Sequence, residues 1–161
     1  MKYLFSSVLL SFLVLTSTGL KAADPVWLEG KTDEAYPITV YHSPTCGCCK
    51  LWIDHLNEHN FEVKSIEVAN VQPIKQRLGV PAQGASCHTA VVNGKVIEGH
   101  VPAQDIKRLL ASENNIRLLT VPAMPSGTPG MDSPGAPKQA FNVFAVSNDN
   151  KVEIYNSYSD Y

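Results

Sequence analysis

The sequence predicts an α/β domain: a mixed central sheet flanked by helices, with an added Pro/Gly/Met-rich loop and a C-terminal β-hairpin. Three observations carry this expectation. A short β-branched run, Ile38-Thr39-Val40-Tyr41, leads through a helical pattern into a second β-type run from Phe61, which makes a βαβ unit. An Asn93-Gly94 pair lies between two further β-type runs. Two more such runs near the C-terminus flank the turn segment Ser147-Asn148-Asp149-Asn150.

In order along the chain, residues 23–37 mix proline, glycine and charge without a period and read as a lead-in segment. Residues 38–41 are short and apolar, as a buried strand requires. Pro44 and Gly47 force a tight loop. From Lys50, the residues Leu51, Trp52 and Leu56 with the Asp54/Glu58 pair fit an amphipathic helix ending near Asn60. The second strand is read over 61–68, parallel to the first because a right-handed crossover joins them. Residues 73–78 form a short helix that Gly79-Val80-Pro81 ends. The spacing then predicts a two-residue antiparallel hairpin over 89–98 and a helix over 102–113, with Pro102 in its first turn and Ile106, Leu109 and Leu110 on one face. The order βαβ-α-ββ-α is that of a thioredoxin-like sheet. Residues 120–140 are of another material: four prolines from Pro122 to Pro134, then Pro137, three glycines, and Met124 and Met131. A loop of that length in a compact domain is functional or disordered. Residues 141–158 close the chain as a β-hairpin, and Trp52, Phe61 and Phe141 read as core.

The N-terminal end has another purpose. Lys2, an apolar run from Leu4 to Leu15 and a small-residue end at Ala22-Ala23 have the layout of a secretory signal peptide over residues 1–22. The apolar run is well short of the roughly 20 residues that cross a bilayer as a helix. The mature chain is expected to be periplasmic, without stable membrane insertion, starting near Ala23 or Asp24. Residues 38–161 then suit a single domain with one core. The formal charge of −2 becomes more negative once Lys2 and Lys21 are removed. With no basic run or aromatic-basic stripe, nucleic acid is not an expected partner.

The chemistry concentrates in four cysteines. Cys46, Cys48 and Cys49 fall within four positions at the strand-to-helix junction, and Cys87 is remote from them. An exported protein with four cysteines ordinarily pairs them in two structural disulfides, but three so close together cannot all staple distant segments. Cys46 and Cys49 alone make the CxxC spacing of a thiol redox pair. At a helix N-terminus, free amides and the helix dipole favour thiolate over thiol. The third cysteine, Cys48, invites wrong pairing in a disulfide exchanger, whereas a soft-metal site gains from each added thiolate. In thioredoxin-like chains a cis-proline precedes the third strand and shields the CxxC; aligning the Asn93-Gly94 hairpin puts His88 there, directly after Cys87. The position would offer sulfur and imidazole in place of a shield.

At these residues the chain resembles a known family. The stretches Tyr41-His42-Ser43-Pro44-Thr45-Cys46-Gly47-Cys48-Cys49, Leu78-Gly79-Val80-Pro81, Ser86-Cys87-His88-Thr89-Ala90-Val91-Val92, Ile97-Glu98-Gly99-His100-Val101-Pro102 and Met124-Pro125-Ser126-Gly127-Thr128-Pro129-Gly130-Met131 are similar to those of the CopG-type periplasmic copper-binding proteins. That family is thioredoxin-like and was long catalogued as a domain of unknown function. The resemblance implies copper, export, a part in copper tolerance and contact with other periplasmic copper-handling proteins.

The expected metal ligands are Cys46, Cys48, Cys49 and Cys87, with His88, His100, Met124 and Met131 as additional donors. Thiolate and thioether donors select Cu(I), whereas mixed thiolate-imidazole sets also suit zinc. Met124 and Met131 also read as loop anchors on apolar surface. His42 is expected as a surface residue at a strand end, and His55 and His59, interleaved with Asp54 and Glu58, as part of a solvated helix face. Three functions follow from these readings. They are an exported Cu(I)-binding protein, a periplasmic thiol-disulfide oxidoreductase using Cys46 and Cys49, and a structural zinc module.

Overall fold

β-Branched and aromatic residues form most of the strands in the computed structural model, which describes residues 24–161. The signal-peptide reading of residues 1–22 lies outside the described residues. The strands are Tyr36–His42 (β1), Phe61–Glu67 (β2), Thr89–Val92 (β3), Lys95–Glu98 (β4), Ile116–Thr120 (β5), Phe141–Ser147 (β6) and Val152–Tyr158 (β7). They lie in one mixed sheet in the order β2-β1-β3-β4-β5-β6-β7. β1 pairs parallel with β2 and antiparallel with β3, and β4 pairs parallel with β5. The β3–β4 turn has positive φ at both Asn93 (45°) and Gly94 (74°). Those are the angles of a tight turn whose twist matches its strands, and Asn-Gly is the pair that adopts them at least cost.

Three α-helices accompany the sheet among the described residues: Gly47–Glu58 (α1), Gln72–Arg77 (α2) and Ala103–Leu110 (α3). None of the described helices is long and apolar enough to cross a membrane. Period-2 alternation divides the sheet residues between two faces. Ile97, Leu119 and Ala145 join the main core with Trp52 and Leu56 of α1 and Ile106 and Leu109 of α3. Their neighbours Val96, Leu118 and Val146 face the other way, where Leu78 and Val80 cover them.

Several details differ from the sequence reading. β1 starts two residues earlier, at Tyr36, and α1 begins at Gly47 instead of Lys50. β5 is an added strand between the hairpin β3–β4 and the closing pair β6–β7. The lead-in, which shows no period in the sequence, holds a defined turn. Its residues Pro25–Leu28 form a 3-10 turn that buries Trp27 completely. Trp27 packs against Phe141, Tyr158 and Tyr161 with ring centroids 5.1–6.1 Å apart, so both ends of the described chain meet in one aromatic cluster.

The histidine expectations are corrected. His42 is buried, held by Ser65 Oγ at 2.7 Å and the Ser43 carbonyl at 2.9 Å. His55 and His59 do not form a solvated face. His55 is 4% exposed and His59 0%, because the lead-in and α3 cover that side of α1. His55 Nε2 accepts from the Ala103 amide at 3.0 Å, and His59 Nε2 donates to the Trp27 carbonyl at 2.6 Å.

A pH dependence follows. Burial, reinforced by neighbouring His59 and Lys31, holds the His55 pKa down to about 3. The unfolded chain titrates this group near 6.5, so below that pH it takes up a proton that the folded chain refuses. Stability is therefore full above about pH 6.5 and falls as the pH drops toward about 3, by up to ~1.4 kcal/mol per pH unit. Urea midpoints at pH 7 and pH 5 should show a steeper loss for the native chain than for His55→Gln. Equal losses in the two chains would rule out His55 as the source.

Candidate metal centre

The cysteine cluster is built by a turn. After β1, the Cys46 amide donates to the Ser43 carbonyl at 3.1 Å, which turns the chain so that Cys46 caps α1 and Cys48 and Cys49 lie in its first turn. Cys49 is fully buried, and Cys46, Cys48 and Cys87 are half-buried. Cys46 and Cys49 are joined by a disulfide, with Cα atoms 5.3 Å apart, and Cys48 and Cys87 are free thiols. Cys48 Sγ lies 3.5 Å from Cys46 Sγ and 4.0 Å from Cys87 Sγ. The four sulfurs all fall within 4.8 Å of one another.

A second donor group shares Cys87. Its Sγ is 3.2 Å from His88 Nδ1 and 3.2 Å from His100 Nε2. His88 ends the loop before β3 and His100 follows β4, so the adjacent antiparallel strands deliver both rings to one end of the sheet. The other nitrogen of His100, Nδ1, lies 2.8 Å from the Pro129 carbonyl. That bond makes Nδ1 the protonated nitrogen and turns the Nε2 lone pair toward Cys87. Outer partners of this kind set the tautomer and orientation of a metal-binding histidine. His88 is fully buried, its ring 4.3 Å from that of Trp52, and its Nε2 has no hydrogen-bond partner among the described residues.

The Pro/Gly/Met-rich loop forms the outer wall. Gly130 has φ of +82°, and a Cβ there would lie 2.7 Å from the Trp52 nitrogen and 2.8 Å from the Cys48 carbonyl. Only glycine permits that approach of loop backbone to α1. Met131 closes the same turn by donating from its amide to the Thr128 carbonyl at 2.7 Å, and it is half-buried. Met124 lies farther out on the loop and is 49% exposed.

Burial sets the protonation states. It pushes the Cys87 thiol up to about 12, with neighbouring Cys48 adding to the effect. Burial lowers His88 well below the ordinary histidine range, with His100 and Lys75 reinforcing it. His100 is also lowered by burial, against the opposing Pro129 hydrogen bond. The metal-free centre thus carries a neutral thiol between two neutral imidazoles. The helix-terminus argument for thiolates does not reach Cys87, which lies in a loop where desolvation dominates.

An ion pair supports the wall opposite. Lys75 of α2 and Glu98 of β4 are buried and meet at 2.5 Å. Glu98 also accepts from the Ser86 amide and from Thr89 Oγ1, both at 2.6 Å, and so clamps the loop that presents Cys87 and His88. The four cysteines form one group and Cys87, His88 and His100 a second, each with the spacing that could hold a metal ion. Trp52, the Pro129 carbonyl and the Lys75–Glu98 pair are participants that local sequence patterns do not reveal.

The chain is similar to known proteins in sequence and in fold. A family model described as "Protein of unknown function, DUF411" matches residues 84–131, the span from the Cys87 loop to Met131. Two solved structures described as copper resistance protein CopG are each 38% identical to this chain. One, form 2, is covered over 100% of its length and 78% of this chain with a TM-score of 0.74. The other, form 1, is covered over 98% of its length and 78% of this chain with a TM-score of 0.73. No curated protein matches.

Proposed function

The chain belongs to the family of the copper resistance protein CopG, and on that premise we propose that it is an exported copper-binding protein that contributes to copper resistance. In this reading the cargo is Cu(I), held by the thiolates of Cys46, Cys48, Cys49 and Cys87 once the disulfide is reduced. An external dithiol reduces it by thiol-disulfide exchange, giving up two electrons and two protons as it becomes a disulfide itself, and the two thiols released here deprotonate on binding metal. His88 and His100 lie beside Cys87, and Met131 and Met124 of the loop are read as further donors. The scaffold is read as thioredoxin-like. The observation that carries the proposal is the convergence of four sulfurs within 4.8 Å, a soft donor set that favours monovalent copper over hard cations.

Anaerobic titration of the reduced protein with Cu(I), followed by thiolate-to-copper absorption in the ultraviolet, tests it. Saturable binding is expected, and a Cys46→Ser/Cys48→Ser variant should lose it. Full binding by that variant would sink the assignment. Competition with zinc separates the copper site from a structural zinc module, because imidazole-rich use of Cys87, His88 and His100 would favour zinc.

One observation favours a second reading. The Cys46–Cys49 disulfide is the oxidised form that a thiol-disulfide oxidoreductase would present. Sustained disulfide exchange by metal-free protein, abolished by Cys46→Ser, would move that activity to first place.

A further inference from the structure

We propose that Cys48 is an internal nucleophile that moves the disulfide from Cys46–Cys49, through Cys46–Cys48, to Cys48–Cys87. The oxidised chain is then a set of interconverting disulfide isomers. The exchange needs neither copper nor a substrate disulfide, so it stands apart from both readings above.

The free Cys48 Sγ lies 3.5 Å from Cys46 Sγ, one end of the Cys46–Cys49 disulfide. Reacting atoms about 3–3.5 Å apart stand at near-attack separation. On its other side, Cys48 Sγ lies 4.0 Å from the second free thiol, Cys87. Cys48 thus links the existing bond to the remaining thiol. Its neighbour in the cluster, Cys49, is fully buried, whereas Cys48 is half-buried and reaches water.

The backbone permits the change of partner. Gly47, between Cys46 and Cys48, has open space where a Cβ would lie, and glycine restricts the main chain least. Cys46 caps α1 and Cys48 stands in its first turn. Amides there have no partner within the helix, so a local shift breaks no helical hydrogen bond that they donate.

The steps balance without an added oxidant or reductant. Cys48 gives its proton to water, and its thiolate attacks Cys46 Sγ. The Cys46–Cys48 bond forms, the Cys46–Cys49 bond breaks, and Cys49 leaves as a thiolate that takes up a proton. Cys87 then attacks Cys48 Sγ, its own proton passing to His100 Nε2 at 3.2 Å. The Cys48–Cys87 bond forms, the Cys46–Cys48 bond breaks, and Cys46 leaves and receives the proton. This second step is the slower, because burial disfavours the Cys87 thiolate. One disulfide and two thiols are present throughout. The free pair changes from Cys48 and Cys87 to Cys49 and Cys87, and then to Cys46 and Cys49.

Metal-free, oxidised protein provides the test, so the outcome is independent of whether copper binds. It is incubated without external thiol and quenched in acid, which stops exchange by protonating the thiolates. Free thiols are then alkylated with N-ethylmaleimide, and the unreduced digest is mapped by mass spectrometry. The native chain should carry label on Cys49 and yield a peptide pair joined through Cys48–Cys87. Both signals should be independent of protein concentration, as an intramolecular step requires. Cys48→Ser and Cys48→Ala should each lose both signals, leaving Cys46–Cys49 whole and the label on Cys87 alone. A native chain holding only the Cys46–Cys49 isomer, a Cys49 label that survives in the Cys48 variants, or a label that grows with concentration would overturn the proposal. The native-chain map is decisive by itself, so a folding defect in either variant leaves the test intact.

Discussion

Cys87→Ser is expected to lower Cu(I) affinity more than any other single substitution in the centre, by more than about 100-fold, since losing an outer-sphere partner alone costs 10–100-fold. Cys87 is the only residue shared by the two donor groups, one with Cys46, Cys48 and Cys49 and the other with His88 and His100. Serine keeps nearly the shape but substitutes a hard oxygen for a soft sulfur, which disfavours monovalent copper. Binding must also displace the Cys87 proton, which burial and Cys48 hold up to about 12. Throughout the range below that value, each pH unit upward makes the thiolate about tenfold more available, so affinity rises with pH by about tenfold per proton released. Competition against a chromophoric Cu(I) chelator at pH 6, 7 and 8 measures both effects. The native chain should show the slope, and Cys87→Ser should show weaker binding with a shallower slope. An unchanged affinity would place the metal elsewhere and rule out Cys87 as its ligand.

The parts of the fold legible in the sequence are those that local periodicity encodes. The βαβ start, the Asn93-Gly94 hairpin and the closing strands all announce themselves within a few residues. The cysteine cluster is equally legible, because soft donors at one strand-to-helix junction have little to do with packing. What the local pattern hides is cover that comes from far along the chain. His55 and His59 alternate with Asp54 and Glu58 as a solvated face would, yet the residues that bury them, Ala103 and Trp27, lie 48 and 32 positions away. Trp27 itself sits in a segment without any period. Strand β5 escapes for a related reason: Ile116–Thr120 runs straight into Val121-Pro122, and only its pairing with β4 and β6 defines it. His100 illustrates the same limit within the centre. Its position after β4 is readable, whereas the carbonyl that orients it comes from Pro129, 29 residues on.

The largest stability effect is expected at Glu98. Its carboxylate is fully buried and accepts from Lys75 Nζ, the Ser86 amide and Thr89 Oγ1. Such a pair adds little over an apolar replacement of both members, but removing one member leaves an unpaired charge in the interior, at about 3–5 kcal/mol. Glu98→Ala strands the Lys75 ammonium, whose remaining partner is Thr89 Oγ1 at 2.9 Å. For a domain of this size that cost corresponds to a melting temperature lower by about 10–15 °C. The double variant Lys75→Met/Glu98→Leu removes both charges at similar volume and should recover most of the loss. Copper affinity should behave differently. The Ser86 amide loses its acceptor in both variants, so the loop carrying Cys87 and His88 is released in both, and affinity should stay reduced where stability has returned. Thermal melts and Cu(I) competition on the two variants separate these effects. A Glu98→Ala chain within about 1 kcal/mol of native stability would show that the pair is not a structural clamp. A double variant with native affinity would show that Ser86 positions the thiol without help from Glu98.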